Sequence, residues 1–577
     1  MSLCYNNTYV KCGWIVLIVL ASQVARSQNI ESIGKKNAFK VGGGVSLSQI
    51  FYASKGIENR RNPYSYFASG NLNFSLYGWS IPLSFSLSNR NVTYQQPFNQ
   101  YSVHPTYKWI TGHFGYTSMT FSPYTVNGHI FLGGGIDLAP EGKFKLSALY
   151  GRFLKAVQPD SINTNSPTAA YQRMGYGLKA TYGDASQSVD VIMFHAADDI
   201  NSIRYVPEAE GILPEENLVV SVGAGKTLFE HFLVKAELAA SALSRDTRAD
   251  ESDQDHPLAK AKFLYAPRLS SSYYKAFKSS FNYQQSGYSI GAAYERIDPQ
   301  YRTLGSYYFN NDLENITVNG AMAALHGKVN LAANVGTQRD NLDNSKVSTM
   351  RRLVGSLNVG YAPSQKINLS ASYSNFQTYT NIRSQFQNIN QLTPYDNLDT
   401  LNYTQISQNA TVTALYMFGK NENKRQTLNV NLTLQDAADK QGQVQQNSGV
   451  RFYNMNTAYA LNIVPQNMMV SVSVNATINE GASTNVKTLG PTAAVSRSFF
   501  EKKFRTTLSA SYNDTYSEGK RINTIVNGRL NGSVSVQKKH NINLSMVLVN
   551  RNSNVEGAAK AFTEFTGTLG YSYSFGR

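Results

Sequence analysis

Residues 562–577 alternate strictly between two kinds of side chain, and this alternation constrains the fold more than any other feature of the chain. One face carries Phe565, Gly567, Leu569, Tyr571, Tyr573 and Phe575, and the other carries Thr566, Thr568, Gly570, Ser572 and Ser574. Successive side chains of a β-strand point to opposite faces. An apolar, aromatic face opposite a small polar face is typical of a strand between lipid and a water-filled lumen.

The same period of two recurs through most of the chain. It is clearest in residues 366–374 and 469–479, and it returns at 72–76, 81–87, 428–434 and 504–512. A period of 3.6 is nowhere convincing, and no apolar run after residue 27 is long enough for a membrane helix. Without helices, only a closed barrel satisfies every backbone group in lipid. The sequence therefore predicts an all-β fold, a single large antiparallel transmembrane β-barrel over residues 38–577, beginning with a strand at 38–53.

Short and long connections alternate along the chain, which supports the barrel independently. Polar segments lie near residues 90–106, 156–170, 197–216, 246–273, 380–402 and 436–447, and short turns lie between them. Short periplasmic turns and long extracellular loops are usual in outer-membrane barrels. About 25 strands are recognisable, and a further strand hidden around Pro105 to Trp109 brings all short turns to one side. We expect about 26 strands, with 24 as the alternative.

The N-terminus resembles an export signal. Lys11 precedes the apolar run from Trp14 to Ala21, and small residues surround a cleavage point before Gln28. We assign residues 1–27 to a signal peptide rather than to a retained membrane anchor, because the apolar run is too short to cross a bilayer. Residues 28–37 then form a short periplasmic segment, and the predicted location is the cell outer membrane.

The charge and the cysteine content limit the classes of partner and the kinds of covalent or metal link that the chain is expected to have. The chain has 53 Lys and Arg residues against 37 Asp and Glu residues, but the basic residues are scattered and form no basic helix. They suit lipid phosphates and lipopolysaccharide, and nucleic acid is not a predicted partner. Both cysteines, Cys4 and Cys12, lie in the predicted signal peptide, so no disulfide or thiolate metal site is expected in the barrel.

The predicted size raises a question about the lumen. Barrels of about 22 strands enclose a lumen that is plugged, and a first strand at 38–53 leaves no room for an N-terminal plug domain. Folded-in loops, inward side chains or another protein must fill the space. The leading hypothesis is a non-enzymatic barrel for transport, secretion or assembly, with loops or an outer-membrane or periplasmic partner in its lumen. The alternatives are a porin-like passive diffusion channel and an outer-membrane surface enzyme.

Few residues suggest a bound ligand, and no cofactor is predicted. Asp250, Asp253 and Asp255 are spaced closely enough to attract calcium, but the segment lacks the glycine and terminal glutamate of an EF-hand loop. A solvated loop tip is the preferred interpretation. The eight histidines show no metal-ligand spacing along the sequence.

Three segments resemble parts of large outer-membrane proteins of Bacteroidota. They read YERIDPQYRTLG (294–305), YYFNND (307–312) and YTSMTFSPYT (116–125). The resemblance implies a Gram-negative outer membrane and a link to surface secretion or gliding machinery, and it supplies no functional residues. Pro299 cannot donate to a β-ladder and predicts a loop or rim. Arg296, Asp298 and Arg302 around it form a candidate cluster that orders an inward loop or contacts a partner, with a solvated loop as the alternative.

Overall fold

The described part of the chain covers nearly all of the predicted barrel. The computed structural model describes residues 39–89, 99–159, 169–204, 212–253, 256–259, 263–345, 351–375, 378–380, 404–419, 423–441, 444–481, 485–555 and 561–576. The predicted signal peptide and the segment 28–37 lie outside these residues. No helix within the described residues has the length and apolarity to cross a membrane.

The described chain consists almost entirely of β-strands, apart from one 3-10 turn at Val464–Gln466. The strands are β1 Phe39–Lys55, β2 Tyr64–Leu76, β3 Trp79–Ser88, β4 Gln100–Val103, β5 Thr106–Tyr107, β6 Ile110–Thr120, β7 Asn127–Leu138, β8 Phe144–Leu154, β9 Gln172–Gly183, β10 Gln187–Asp199, β11 Glu216–Leu228, β12 Phe232–Ser244, β13 Ser271–Gln285, β14 Tyr288–Ile297, β15 Leu313–Ala324, β16 Val329–Arg339, β17 Arg351–Ser364, β18 Ile367–Ser374, β19 Thr378–Thr380, β20 Thr404–Phe418, β21 Lys424–Gln441, β22 Val444–Ile463, β23 Met468–Glu480, β24 Asn485–Phe499, β25 Phe504–Ser517, β26 Lys520–Val536, β27 His540–Ser553 and β28 Ala561–Phe575.

These strands close into an antiparallel barrel of 26 positions. Each position pairs with its sequence neighbours, and β1 closes the ring by pairing with β28 from Gly43↔Phe575 to Lys55↔Thr563. Two positions are each built from two short strands: β4 with β5, and β18 with β19. Pro105 interrupts the first of these positions. It is the additional strand predicted around Pro105 to Trp109 from the requirement that all short turns lie on one side. The predicted fold class and the count of 26 are confirmed.

The two ends of the barrel differ in their connections. The "turn end" carries short turns, such as the one between β2 and β3, and also both described chain termini. The "loop end" carries the longer connections, including 245–270 and 298–312. One expected loop was wrong: around residues 436–447 the strands β21 and β22 continue to Gln441 and from Val444, because polar strand ends are not restricted by a lipid-facing pattern.

The two faces of the barrel wall have opposite chemistry. Along β23, Val472 and Val474 point outwards and are about half exposed, whereas Asn475 points inwards and is 3% exposed. The register of the ladders carries this assignment around the ring, so the apolar rows expected around Val470 and Leu569 lie on the outside. An outward apolar belt and an inward polar face are the arrangement of membrane barrels.

Candidate functional site

Two connections at the loop end fold into the lumen. The first links β6 to β7 (residues 121–126), and the second links β14 to β15 (residues 298–312). Their apolar residues are buried together with inward residues of the wall from β6 to β14. We call these two connections the plug. It forms the largest buried apolar region among the described residues, and it consists of the chain's own loops.

The two plug loops are joined to each other by backbone and side-chain hydrogen bonds. Val126 and Gly305 form a parallel bridge, and the amide of Asn127 donates to the carbonyl oxygen of Gly305 at 3.0 Å. The hydroxyl of Tyr301 donates to the carbonyl oxygen of Tyr124 at 2.8 Å. These partners lie about 180 residues apart in the sequence. The hydrogen bonds between them make the position of each loop depend on the other.

Aromatic side chains seat the first plug loop against the wall. Phe131, Phe153 and Phe194 point inwards and are fully buried, with ring centroids 5.3 Å apart in both pairs; the first pair is stacked and the second is tilted by 60°. Phe121 packs in the same cluster. A Cβ atom at Gly177 would lie 3.0 Å from the Phe121 ring. The glycine in β9 therefore provides the space into which the plug packs.

One tyrosine from each plug loop packs against the inner wall. Tyr124 and Tyr301 are almost fully buried against Val219, Ala239 and Ala276 of the inner wall. Burial raises the pKa of both tyrosine hydroxyls far above the ordinary value, and nearby carboxylates raise them further. Both hydroxyls therefore stay protonated and serve as hydrogen-bond donors.

An ionic network that is buried at its wall side, which we call the latch, fastens the second plug loop to the wall. The guanidinium of Arg173 donates to both carboxylate oxygens of Asp198, at 2.7 and 2.8 Å, and to Glu215 at 3.0 Å. Glu215 also accepts a hydrogen bond from Arg302 at 2.5 Å. The side chains of Arg173 and Asp198 are at most 10% exposed. Glu215 thus joins the wall to the plug through charge-assisted hydrogen bonds.

Neutral groups add further attachment points. The Asn217 side chain is fully buried, accepts from the amide of Leu304 at 3.1 Å, and donates to Ser241 at 2.8 Å. Ser241 in turn donates to the carbonyl oxygen of Arg302 at 2.7 Å. Buried polar groups require such partners, so the wall and the plug loop complete each other's hydrogen bonding.

The structure keeps Arg296 and Asp298 of the candidate cluster together and separates Arg302 from them. Arg296 lies on the outward row of β14, 3.8 Å from Asp298 and 3.8 Å from Glu314. Arg302 lies in the plug and pairs with Glu215 instead. Pro299 lies in a connection, as expected. The segments 116–125, 294–305 and 307–312, on which the resemblance rests, cover both plug loops except for Val126 and Ser306.

The candidate calcium residues lie in the connection between β12 and β13. Asp250 and Asp253 are exposed there, and Asp255 lies outside the described residues. A bridge between Glu251 and Arg268 holds this part of the loop. Within the described residues, no group of three or more His, Cys, Asp or Glu side chains is placed to hold a metal ion.

One histidine pair escaped the analysis of sequence spacing. The Nδ1 atoms of His104 and His113 lie 2.9 Å apart, and Nε2 of His113 lies 2.8 Å from Asp137. The hidden strand formed by β4 and β5 places His104 beside β6, so spacing along the chain could not show the contact. The three groups satisfy each other as a hydrogen-bonded chain on the inner wall.

The connection between β12 and β13 covers the outer side of the wall. Tyr265, Leu258 and Leu264 pack over Leu218 and Ala242, which point outwards. The Tyr265 hydroxyl is within hydrogen-bond distance of Ser244 and Ser271, at 2.7 and 2.8 Å. This loop therefore has a fixed position on the barrel exterior rather than inside the lumen.

Burial raises the pKa of the Tyr265 hydroxyl to about 12. The unfolded loop ionises near pH 10, so its docking is fully stable below that pH. Docking should weaken by about 2–3 kcal/mol as the pH rises from 10 to 12. A spin label on Phe263→Cys, at an 87% exposed position, should become more mobile in this range. The same label in a Tyr265→Phe variant should show no such transition, and an identical transition there would contradict the assignment.

The inner wall divides into two chemically different halves. From β6 to β14 it carries paired charges, including Lys179 with Asp190 and Lys278 with Glu295. Along β15, β16, β18, β22, β23 and β24, the described inward positions carry no charged residue and are mostly Asn, Ser, Thr, Ala and Gly. The plug lies against the charged half.

Comparison with known proteins gives similarity of architecture alone. No protein-family model matches the chain, and no curated relative matches it either. Among solved structures, the FrpB iron transporter from Neisseria meningitidis (F5-1 variant) is 10% identical with a TM-score of 0.36, covering 92% of this chain and 82% of that one. The copper transporter OprC is 9% identical with a TM-score of 0.37, covering 93% and 80%. The P pilus usher (PapC) translocation pore is 9% identical with a TM-score of 0.34, covering 93% and 99%. At these values the likeness carries no argument about activity.

Proposed function

We propose that this chain is a non-enzymatic outer-membrane barrel that serves transport, secretion or assembly at the cell surface, and that its plug regulates passage through the lumen. The observation that carries the proposal is the joining of two distant loops inside the barrel by Tyr124, Tyr301 and Gly305. A structural wall alone requires no such joined loops, whereas a wide lumen requires a means of closure.

The orientation follows from the connections. Short turns are periplasmic and long loops extracellular in outer-membrane barrels, so the plug lies near the cell exterior. Lipopolysaccharide and lipid phosphates are the proposed partners of scattered basic residues on the outside. A further outer-membrane or periplasmic protein is the proposed partner where the chain works in an assembly.

A passive diffusion channel is the second candidate. The observation that favours it is the set of uncharged inward positions along β15, β16, β18, β22, β23 and β24, over which hydrated solutes would pass without strong binding. The two candidates differ in whether the plug closes the lumen at rest.

Reconstitution into planar bilayers separates the candidates. If the plug closes the lumen, the purified chain should show rare, small openings, and a conductance at least several-fold larger after the plug is released. A stable large conductance from the unaltered chain would favour the passive channel and contradict closure. Affinity isolation from gently solubilised outer membranes, with label-free membranes as the control, should recover a specific partner if the chain works in an assembly.

A further inference from the structure

A cavity of 580 Å³ lies in the barrel wall near the turn end, between β13 and β20. On four strands it is lined by three consecutive residues, of which the first and third point inwards: 321–323, 330–332, 358–360 and 370–372. A cavity on the outer face would show the opposite pattern, with the first and third residues of each triplet pointing outwards. The cavity therefore opens to the lumen.

Small inward side chains create this cavity. Ala321, Ala323 and Ala332 leave a depression between the larger inward residues Gln284 and Thr411. Its volume falls within the range of about 300–1,000 Å³ that is usual for small-molecule sites. The plug lies at the other end of the barrel, so this site is separate from it.

The polar groups of the cavity are all uncharged, and they lie among small apolar side chains. Its inward polar groups are the amides of Asn330, Asn358 and Gln284 and the hydroxyls of Ser289, Ser370, Ser372 and Thr411. Among the described residues that line the cavity, none is charged. Amides and hydroxyls both donate and accept hydrogen bonds, and they offer no counter-ion to a charged ligand.

We propose that this cavity binds an uncharged, hydroxyl-rich solute of the size of two or three sugar units. A charged ligand would lose hydration without gaining an ionic partner. An apolar ligand would leave the amides without partners. A carbohydrate hydroxyl matches both requirements, since each one can donate to an amide oxygen and accept from an amide nitrogen.

The uncharged wall beyond the cavity extends the same chemistry. The side-chain amide of Asn431 donates to the hydroxyl of Thr413 at 3.0 Å, and that of Asn475 donates to Thr492 at 3.5 Å. These rows continue around the barrel from the strand that borders the cavity. The inference rests on the proposed function, because it names the class of solute that would move along this half of the lumen.

The test is calorimetric titration of the purified full chain in detergent with maltotriose. Saturable binding is expected, and a trisaccharide of similar size that carries a carboxylate should bind at least tenfold more weakly. Ala332→Phe should abolish maltotriose binding by filling the cavity. Ala333→Phe, the same change one residue along and on the outward face, should leave binding unchanged.

Asn358→Leu provides a second variant in case the phenylalanine disturbs folding. Loss of one amide should weaken binding by about three- to tenfold. Absence of maltotriose binding to the unaltered chain, equal binding of the charged trisaccharide, or equal effects of the two phenylalanine variants would each overturn the inference. Because binding is measured in detergent, such a failure leaves the bilayer test of the proposed function unaffected.

Discussion

Gly305→Val is expected to release the plug and raise the conductance of the reconstituted barrel at least several-fold. A Cβ atom at this position would lie 2.6 Å from the carbonyl oxygen of Thr125 and 3.1 Å from Cα of Val126. Both atoms belong to the backbone of the other plug loop, so no side-chain rotation relieves the clash. The bridge between Val126 and Gly305 must break, and the hydrogen bond from Asn127 is lost with it.

The matched control is Gly528→Val. Gly528 lies within β26, and a Cβ atom there meets nothing within 4 Å. This variant should conduct like the unaltered chain in the same bilayers. If Gly305→Val also conducts like the unaltered chain, the two loops do not close the lumen together.

Arg173→Met is expected to cause the largest loss of stability among single substitutions in the wall. It removes the cation from the latch and leaves Asp198 and Glu215 buried without it. Breaking a buried ion pair from one side costs about 3–5 kcal/mol, because the remaining charge is desolvated without compensation. The free energy of unfolding, measured by denaturant titration in detergent, should fall by about this amount.

The control for the latch is Arg521→Met, which also removes an arginine from an ion pair. Arg521 lies 3.8 Å from Asp514 and its side chain is 51% exposed, and exposed pairs contribute about 0–1 kcal/mol. Equal losses for the two variants would contradict a special role for the latch.

The barrel itself could be predicted from sequence because its determinants are local. Every second residue of a membrane-spanning strand faces lipid. Alternating apolar residues, such as those around Val472 and Leu569, therefore identify the strands of the wall directly. The requirement that all short turns lie at the same end of the barrel located even the strand that Pro105 interrupts. The segment 436–447 was wrongly expected to be a loop for the same reason. The ends of strands that extend beyond the lipid need no alternating apolar residues, so their sequence does not identify them as strands.

The plug could not be predicted because its contacts are not local. Tyr124 and Tyr301 meet across 177 residues, and nothing in either loop's spacing specifies the other. Folded-in loops were one of three ways to fill the lumen, and the sequence did not identify which loops. Aromatic and glycine residues within otherwise polar connections, such as Phe121 and Gly305, were the available signal.

The latch illustrates the same limit at the level of single residues. Arg302 was grouped with Arg296 and Asp298 because the three are close in sequence. The chain turns at Pro299, and Arg302 instead meets Glu215, which lies immediately before β11. The contact between His104 and His113 was missed for a different reason. The short strands β4 and β5, which show no clear alternating pattern in the sequence, bring the two histidines together.

Thiol modification of the two inner half-walls tests the central claim most directly. Ala239→Cys lies beneath the plug, where Ala239 is fully buried, and Ala458→Cys occupies an inward position of β22 on the uncharged half. With Cys4 and Cys12 replaced, each variant in proteoliposomes carries one thiol. A bulky, membrane-impermeant maleimide should modify residue 458 at least tenfold faster than residue 239. Equal rates would show that the loops leave the charged half uncovered and would contradict the account.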